Sequence, residues 1–194
     1  MIKSFPVLFN AGTHGTWLAW FVNQHPEFPK SELEINSSTK LDYATASGKT
    51  DWYVFEHSFF KFTNLNRLNT PKLAFKVMPH HAAAPPRTPF QSIINQSNTV
   101  GIIVPTIKEH NYKIAKERFD IIRPIQKGQE YFLHSYPDGY EWKTDLPVLL
   151  CDPLDLMQGV QAEYDKLLEF IDSEPLLDWK EKCNSTIGTF YNLS

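Results

Sequence analysis

Apolar positions along this chain fall into short unbroken runs, separated by stretches with helical spacing. FPVLF (5–9) is such a run and predicts a short buried strand. TWLAWFVNQH (16–25) sets Trp17, Trp20 and Phe21 on one helical face, and the Pro-rich HPEFPKSELE that follows stops the helix. Residues 36–50, rich in Ser, Thr, Lys and Gly, predict a loop. WYVFEH (52–57) and KLAFKVMP (72–79) have strand composition, and Pro79 ends the second. TVGIIVP (99–105) predicts a central strand. TIKEHNYKIAKERF (106–119) predicts a helix whose broad face carries Ile107, Tyr112, Ile114, Ala115 and Phe119. FDIIRPI (119–125) reads as a further strand and residues 127–145 as a polar, aromatic loop. LPVLLCDP (146–153) predicts a buried strand. DLMQGVQAEYDKLLEFI (155–171) predicts one helix with Leu156, Val160, Tyr164, Leu167, Leu168 and Ile171 on a side, and EPLLDWKEKCN (174–184) a shorter helix with Pro175 near its start.

Strands written as continuous apolar runs are buried on both faces, and their alternation with helices is the pattern of a parallel sheet covered by helices. The expected fold is therefore a single α/β domain over residues 1–194, a three-layer α/β/α arrangement around a central, mostly parallel sheet. Neither an internal repeat nor a domain boundary is visible.

Composition narrows the setting. A hydrophobic fraction of 42% and a charged fraction of 21% fit an ordinary soluble globular chain, and no run approaches the length of a membrane span. A net charge of −3 argues against wholesale nucleic-acid binding but leaves room for a local anion pocket. Two cysteines, Cys151 and Cys183, are too few for a disulfide framework or a four-cysteine zinc site, and Cys151 reads as a small buried hydrophobe. No secretory signal is visible, so the sequons at Asn36, Asn95 and Asn184 carry no weight and a reducing, cytoplasmic setting is expected.

Candidate chemistry concentrates where the first strand meets the first helix. Gly12 and Gly15 allow backbone N–H groups to approach an anion, the helix dipole favours negative charge, Thr13 and Thr16 add hydroxyl donors, and His14 adds a charged one if protonated. A plain strand–turn–helix corner, with glycines chosen for their φ, is the competing reading. The strict G-x-x-x-x-G-K-[ST] pattern is absent. His80 and His81 follow the strand ending at Pro79, and either suits a general base acting on an acceptor hydroxyl. Lys113 and Lys116 share a helical face that can meet a phosphate or simply solvent. Asp152 ends an apolar strand, as a Mg²⁺-holding Asp does in NTPases, and also suits a helix N-cap, as does Asp155. Trp17, Trp20, Trp52, Phe55, Phe59, Phe60 and Phe62 either line an apolar acceptor pocket or fill the core.

Several of these segments, in this order, resemble P-loop sulfotransferases. GTHGTWL is similar to their 5′-phosphosulfate loop, with Gly15 and Thr16 in the Gly-Thr place and Trp17 after them. FKVMPHHAAAP resembles the Lys-Thr-His segment that ends in the catalytic base, which gives Lys76 the lysine's place and His80 or His81 the base's. TVGIIVPTIKEHNYKIAKERF resembles the strand and helix that bind the cofactor's 3′-phosphate, and LPVLLCDPLDLMQGVQAEYDKLLEFIDSEPLLDW their later strand and helices. The overall impression is of small sulfotransferase-like proteins of marine bacteria and phages. The chain departs from the pattern in three places. The P-loop lysine falls on Gly12 or Thr13, the 3′-phosphate arginine on Pro105, and the serine eight residues later on Lys113.

The resemblance implies sulfuryl transfer from 3′-phosphoadenosine-5′-phosphosulfate to a hydroxyl or amine of a small-molecule or glycan acceptor, without a metal. Gly12, Thr13, His14, Gly15, Thr16 and Trp17 would hold the 5′-phosphosulfate, Lys113 and Arg118 the 3′-phosphate, and His80, His81 and Lys76 would serve catalysis. A nucleotide kinase or NTPase is the rival enzyme reading. A non-catalytic descendant that keeps the fold and binds a partner or glycan is a third.

Overall fold

The computed structural model describes residues 2–9, 13–29, 33–35, 44–46, 70–77, 98–116 and 145–184. Its centre is a four-stranded, all-parallel sheet. The strands are β1 (Lys3–Leu8), β4 (Lys72–Val77), β5 (Ile102–Pro105) and β6 (Val148–Cys151), in the order β4-β1-β5-β6. β1 pairs with β4 from Lys3↔Lys72 to Leu8↔Val77, and β5 with β6 from Ile102↔Val148 to Pro105↔Cys151. Strands are thus present within the expected segments 72–79, 99–105 and 146–153, and the strand expected at 5–9 runs over Lys3–Leu8; Thr99 makes only an isolated bridge to Ser4. The segments 52–57 and 119–125 lie outside the described residues.

In β1, β5 and the first half of β4 the apolar runs are continuous because both sheet faces are buried; in β6, expected to be a buried strand, one face is open, with Leu150 exposed and Val148 half-buried. Phe5, Val7, Ala74, Ile103, Leu149 and Cys151 join the core shared with the helices α1 (Gly15–Val22), α2 (Pro153–Met157) and α3 (Gln161–Ile171). The alternate residues Leu8, Leu73, Phe75, Ile102 and Val104 turn to the opposite face and are equally buried. Each such Leu, Ile, Val or Phe contributes roughly 1.5–3 kcal/mol by leaving water, so the strands are held by their side chains as much as by their ladders.

α1 docks through aromatic packing. Trp17 stacks on Phe21 at 5.0 Å with the rings 7° from parallel, and Phe21 reaches Tyr164 of α3 at 6.0 Å. Beyond its last turn, the Asn23 side chain grips β4 like a strand. Its Nδ2 donates to the Ala74 carbonyl at 2.8 Å and its Oδ1 accepts from the Ala74 N–H at 2.9 Å. The Lys72 N–H donates to the Glu27 carbonyl at 3.1 Å, so residues 23–27 seal that flank of β4. The Lys72 ammonium is buried; it pairs with Glu27 at 2.7 Å and donates to the carbonyls of Ile171 and Asp172 at the C-terminus of α3.

Four expectations are corrected. The helix predicted over 155–171 is two. Gly159 takes φ 76, Asp152 caps α2 by accepting from the Leu154 N–H, and Val160, placed on the apolar face by its spacing, is an exposed N-cap for α3. The helix predicted over 106–119 starts late. The Thr106 N–H donates to the Cys151 carbonyl and the Lys108 N–H to the Asp152 carboxylate, so the chain stays extended until a 3-10 turn at Glu109–Asn111, with helical residues at 112–116. The loop expected over 36–50 contains β3 (Ala44–Ala46), antiparallel to β2 (Leu33–Ile35), in a separate two-stranded sheet. The last helix begins at 179, beyond Pro175. No helix among the described residues is long and apolar enough to cross a membrane.

His25 links α1 to α3. A carbonyl only accepts, so Nδ1 donates to the Val22 carbonyl at 3.1 Å and Nε2 accepts from the Tyr164 hydroxyl at 3.2 Å. That hydroxyl in turn accepts from the Leu176 N–H at 2.7 Å. Burial pushes the His25 pKa down to about 4, with the backbone hydrogen bonds at Val22 and Phe21 opposing the shift. An unfolded chain takes up this proton near pH 6.5 whereas the folded chain resists it down to about 4, so stability falls as the pH drops through that window. The expected loss is roughly 3 kcal/mol, read by urea unfolding at the two ends of the window. The slope flattens in His25→Phe; an unchanged slope in that variant would assign the acid sensitivity elsewhere. Separately, Asn23→Ala leaves both polar groups of Ala74 unpaired and is expected to lower the unfolding free energy by about 2–4 kcal/mol in the same assay.

Candidate functional site

In an open parallel sheet, ligands bind beyond the C-terminal ends of the strands where the strand order reverses. Here that point lies between β1 and β5, since the next described parallel strand after β1 lies on one side of it and β5 on the other. Two groups of residues meet this edge. One is the turn between β1 and α1; the other is a polar network built from the segments after β5 and β6.

The turn is tight. Thr13 and His14 are buried, and His14 adopts the left-handed conformation at φ 57. Gly15 has its own packing reason for lacking a side chain. A Cβ there would lie 2.0 Å from the Phe9 ring, so the ring occupies the space a side chain would need. His14 is the N-cap of α1 yet gives no side-chain hydrogen bond to the helix, and the first turn carries no acidic residue. The positive end of the helix therefore gains nothing from the side chain of its own N-cap and faces no acid in its first turn. Trp17, also in that turn, holds the one buried side-chain polar atom without a hydrogen-bond partner among the described residues, its indole Nε1.

Of the residues singled out from the sequence, Thr13 to Trp17 are brought together in this turn, and Lys76 lies near the C-terminal end of β4, paired with Val7 of β1. Lys113 is exposed in the helical turn after β5 and takes part in an interaction there. Gly12, His80, His81 and Arg118 lie outside the described residues. The described part of the aromatic set, Trp17 and Trp20, is packed into the core.

The network was not foreseen from the sequence. Asp152, at the end of β6, has both carboxylate oxygens engaged. Oδ1 accepts from the Leu154 N–H at 2.8 Å; Oδ2 accepts from the Lys108 N–H at 2.7 Å and from Asn111 Nδ2 at 2.9 Å. Asp155 accepts from Asn111 at 2.8 Å, His110 Nε2 at 2.7 Å and the Lys108 ammonium at 2.7 Å. The same ammonium pairs with Glu163 of α3 at 2.7 Å, whose other oxygen accepts from the Asp152 N–H at 2.8 Å. Gln158 fixes the Asn111 carbonyl oxygen at 2.8 Å.

Electrostatics separates the two aspartates. Burial raises the Asp152 pKa, only partly offset by the hydrogen bonds from Asn111, Lys108 and Leu154. Burial pushes Asp155 the same way, but the hydrogen bonds from Lys108, His110 and Asn111 outweigh it and hold the carboxyl below its usual range. Lys108 is stabilised as a cation despite its desolvation, because Asp155 and Glu163 flank it. His110, Asp152 and Asp155 each bring a ligand-type atom within 4.8 Å of the others. Each of those carboxylate oxygens already accepts at least one hydrogen bond, and Lys108 supplies positive charge beside them. Asp152 acts as a helix cap, one of the two roles its sequence allowed.

Lys108→Met removes that charge and leaves two buried carboxylates facing each other. Discounted for the partial exposure of Lys108, the expected loss is roughly 2–3 kcal/mol near neutral pH, measured by urea unfolding. A variant as stable as the parent would mean that the ion pair contributes nothing. The chain matches no known protein family, no curated protein and no solved structure.

Proposed function

We propose that the β1–α1 turn binds a phosphate- or sulfate-bearing nucleotide and that the chain transfers a sulfuryl group from 3′-phosphoadenosine-5′-phosphosulfate to a hydroxyl or amine. The observation that carries this reading is the α1 N-terminus. It follows a central parallel strand at the switch point, no side chain of its N-cap bonds to it, its first turn has no acidic residue, and an indole donor in that turn lacks an acceptor. An oxyanion would supply the missing acceptor and the missing negative charge together.

In this reading, residues Gly12 to Trp17 hold the 5′-phosphosulfate through amide and hydroxyl donors, while Lys113 and Arg118 hold the 3′-phosphate. The bound nucleotide supplies the activated sulfuryl group. The protein orients it, shields it from water and stabilises charge on the departing oxygen. A base accepts the acceptor's proton; the family resemblance implies His80 or His81 for that place, with Lys76 beside the transferred group. The three-layer sulfotransferase-like architecture is the finer form of the parallel α/β fold. The use of Asp152 as a helix cap, with both oxygens engaged, favours this metal-free chemistry over a Mg²⁺-dependent kinase.

Calorimetric titration with 3′,5′-adenosine diphosphate in the presence of EDTA is expected to show binding. Binding of ATP that requires Mg²⁺, with none of the bisphosphate, would transfer the assignment to the kinase class, and binding of neither would leave the fold without this activity. Trp17→Phe keeps an aromatic ring against Phe21 but removes the indole N–H. It is expected to fold and to bind the bisphosphate about tenfold more weakly, or about 1.4 kcal/mol. Unaltered affinity would show that the indole does not meet the anion.

A further inference from the structure

We infer that His110, oriented by Asp155, is the proton acceptor for the hydroxyl that attacks the activated group. This rests on the group-transfer reading above and assigns its base to a residue that the sequence comparison passes over.

The pairing has the form of an activated histidine. The imidazole is exposed, at 61% of its side-chain surface, while the carboxylate that it contacts at 2.7 Å is 4% exposed. Contact is through Nε2 to a carboxylate oxygen, and a carboxylate whose pKa is held low accepts rather than donates. Nε2 therefore carries the proton of the neutral ring, and the lone pair sits on Nδ1. His110 has no bonding partner other than Asp155 among the described residues. Asp155 is itself fixed by Asn111 Nδ2 and the Lys108 ammonium, and Asn111 by Gln158, so the orienting oxygen has little freedom to rotate. This is a base, an orienting group and a support behind it, the arrangement that proton-transfer sites require. The pair lies in the segment directly after β5, and β5 neighbours β1, whose C-terminal end leads to α1.

The acceptor's O–H bond breaks and its proton passes to Nδ1. The oxygen forms a bond to sulfur. The bond from sulfur to the bridging oxygen breaks, and its electron pair leaves on the 5′-phosphate of the nucleotide. Asp155 stabilises the resulting imidazolium and acts as a positioning residue. The other charged groups of the network are Lys108, Asp152 and Glu163, with Lys166 at 3.6 Å from Glu163; Glu109 precedes His110 in the chain.

The test uses the whole chain and two readouts. Ring-nitrogen NMR of the nucleotide-free protein is expected to show the Nε2-protonated tautomer of His110. In Asp155→Asn the preference for that tautomer is expected to weaken, because the Nε2–H loses its anionic acceptor. Release of inorganic sulfate from 3′-phosphoadenosine-5′-phosphosulfate, with water as acceptor, gives the functional readout. In the wild type, its pH profile is expected to show an acid limb, since a protonated base accepts no proton. In His110→Gln, affinity for 3′,5′-adenosine diphosphate is expected to stay within about twofold while sulfate release falls on the order of 100-fold and the acid limb disappears. An Nδ1-protonated ring, or His110→Gln that releases sulfate at the parental rate, overturns the assignment while leaving nucleotide binding intact. A parent chain that binds the bisphosphate but releases no sulfate above the uncatalysed rate also overturns it. A parent that binds no nucleotide overturns the group-transfer reading first and the base with it. If Asp155→Asn does not fold, His110→Gln and the parental tautomer decide the matter, since the His110 ring is largely exposed.

Discussion

One ammonium group, Lys108 Nζ, holds the C-terminal edge of the sheet together. It reaches Asp155 and Glu163 from the segment after β5, and so binds β5, α2 and α3 into one unit. Buried carboxylates are costly without a partner, and their attraction to a central cation offsets that cost only when the remaining lone pairs are also satisfied. Here they are. Asn111, Leu154, His110 and the Lys108 and Asp152 amides meet the other oxygens. The late start of the helix after β5, the cap on α2 and the placing of His110 all follow from that saturation.

A second layer of polar contacts performs the same task on the other side of α1. His25 is held neutral between the Val22 carbonyl and the Tyr164 hydroxyl, and Tyr164 stacks on Trp179 at 4.2 Å. The chain thereby joins α1, α3 and the segment leading to the last helix through one buried imidazole. Both networks leave the first turn of α1 without an acid, and the proposed chemistry needs that asymmetry: anionic groups gathered behind β5 and β6, a positive helix end free of acids beside β1.

The parallel sheet was legible in the sequence because strands buried on both faces cannot alternate; their apolar runs announce them. The core face of α3 was legible for the same reason, apart from Val160. Its exposure follows from Gly159, whose left-handed φ breaks a periodicity that the apolar pattern alone carries straight through. The network was illegible for a different reason. Lys108 and Glu163 lie 55 positions apart, and Asn111 and Asp152 lie 41 apart, so no local spacing marks them. The run KEHN after an apolar strand offered a hint, since charged and amide groups at that edge have other strands' ends to meet, but its helical spacing concealed the extended turn. The glycine at 15 carried a double message: it fits an anion loop, and it is also what Phe9 needs beside it.

The Asn23 clamp on Ala74 bears on how copies of this molecule behave when crowded. An outermost strand normally offers its spare amides and carbonyls as a template to any passing chain, the first step toward fibrillar stacking. By spending a carboxamide on that border, the protein presents a flank already saturated at Ala74 to its neighbours, and it does so with a residue beyond the end of α1. The protection is therefore conditional on α1 being docked: a nascent chain that has made β1 and β4 but not yet seated this helix is sticky, and becomes inert on that side only at the moment the helix settles.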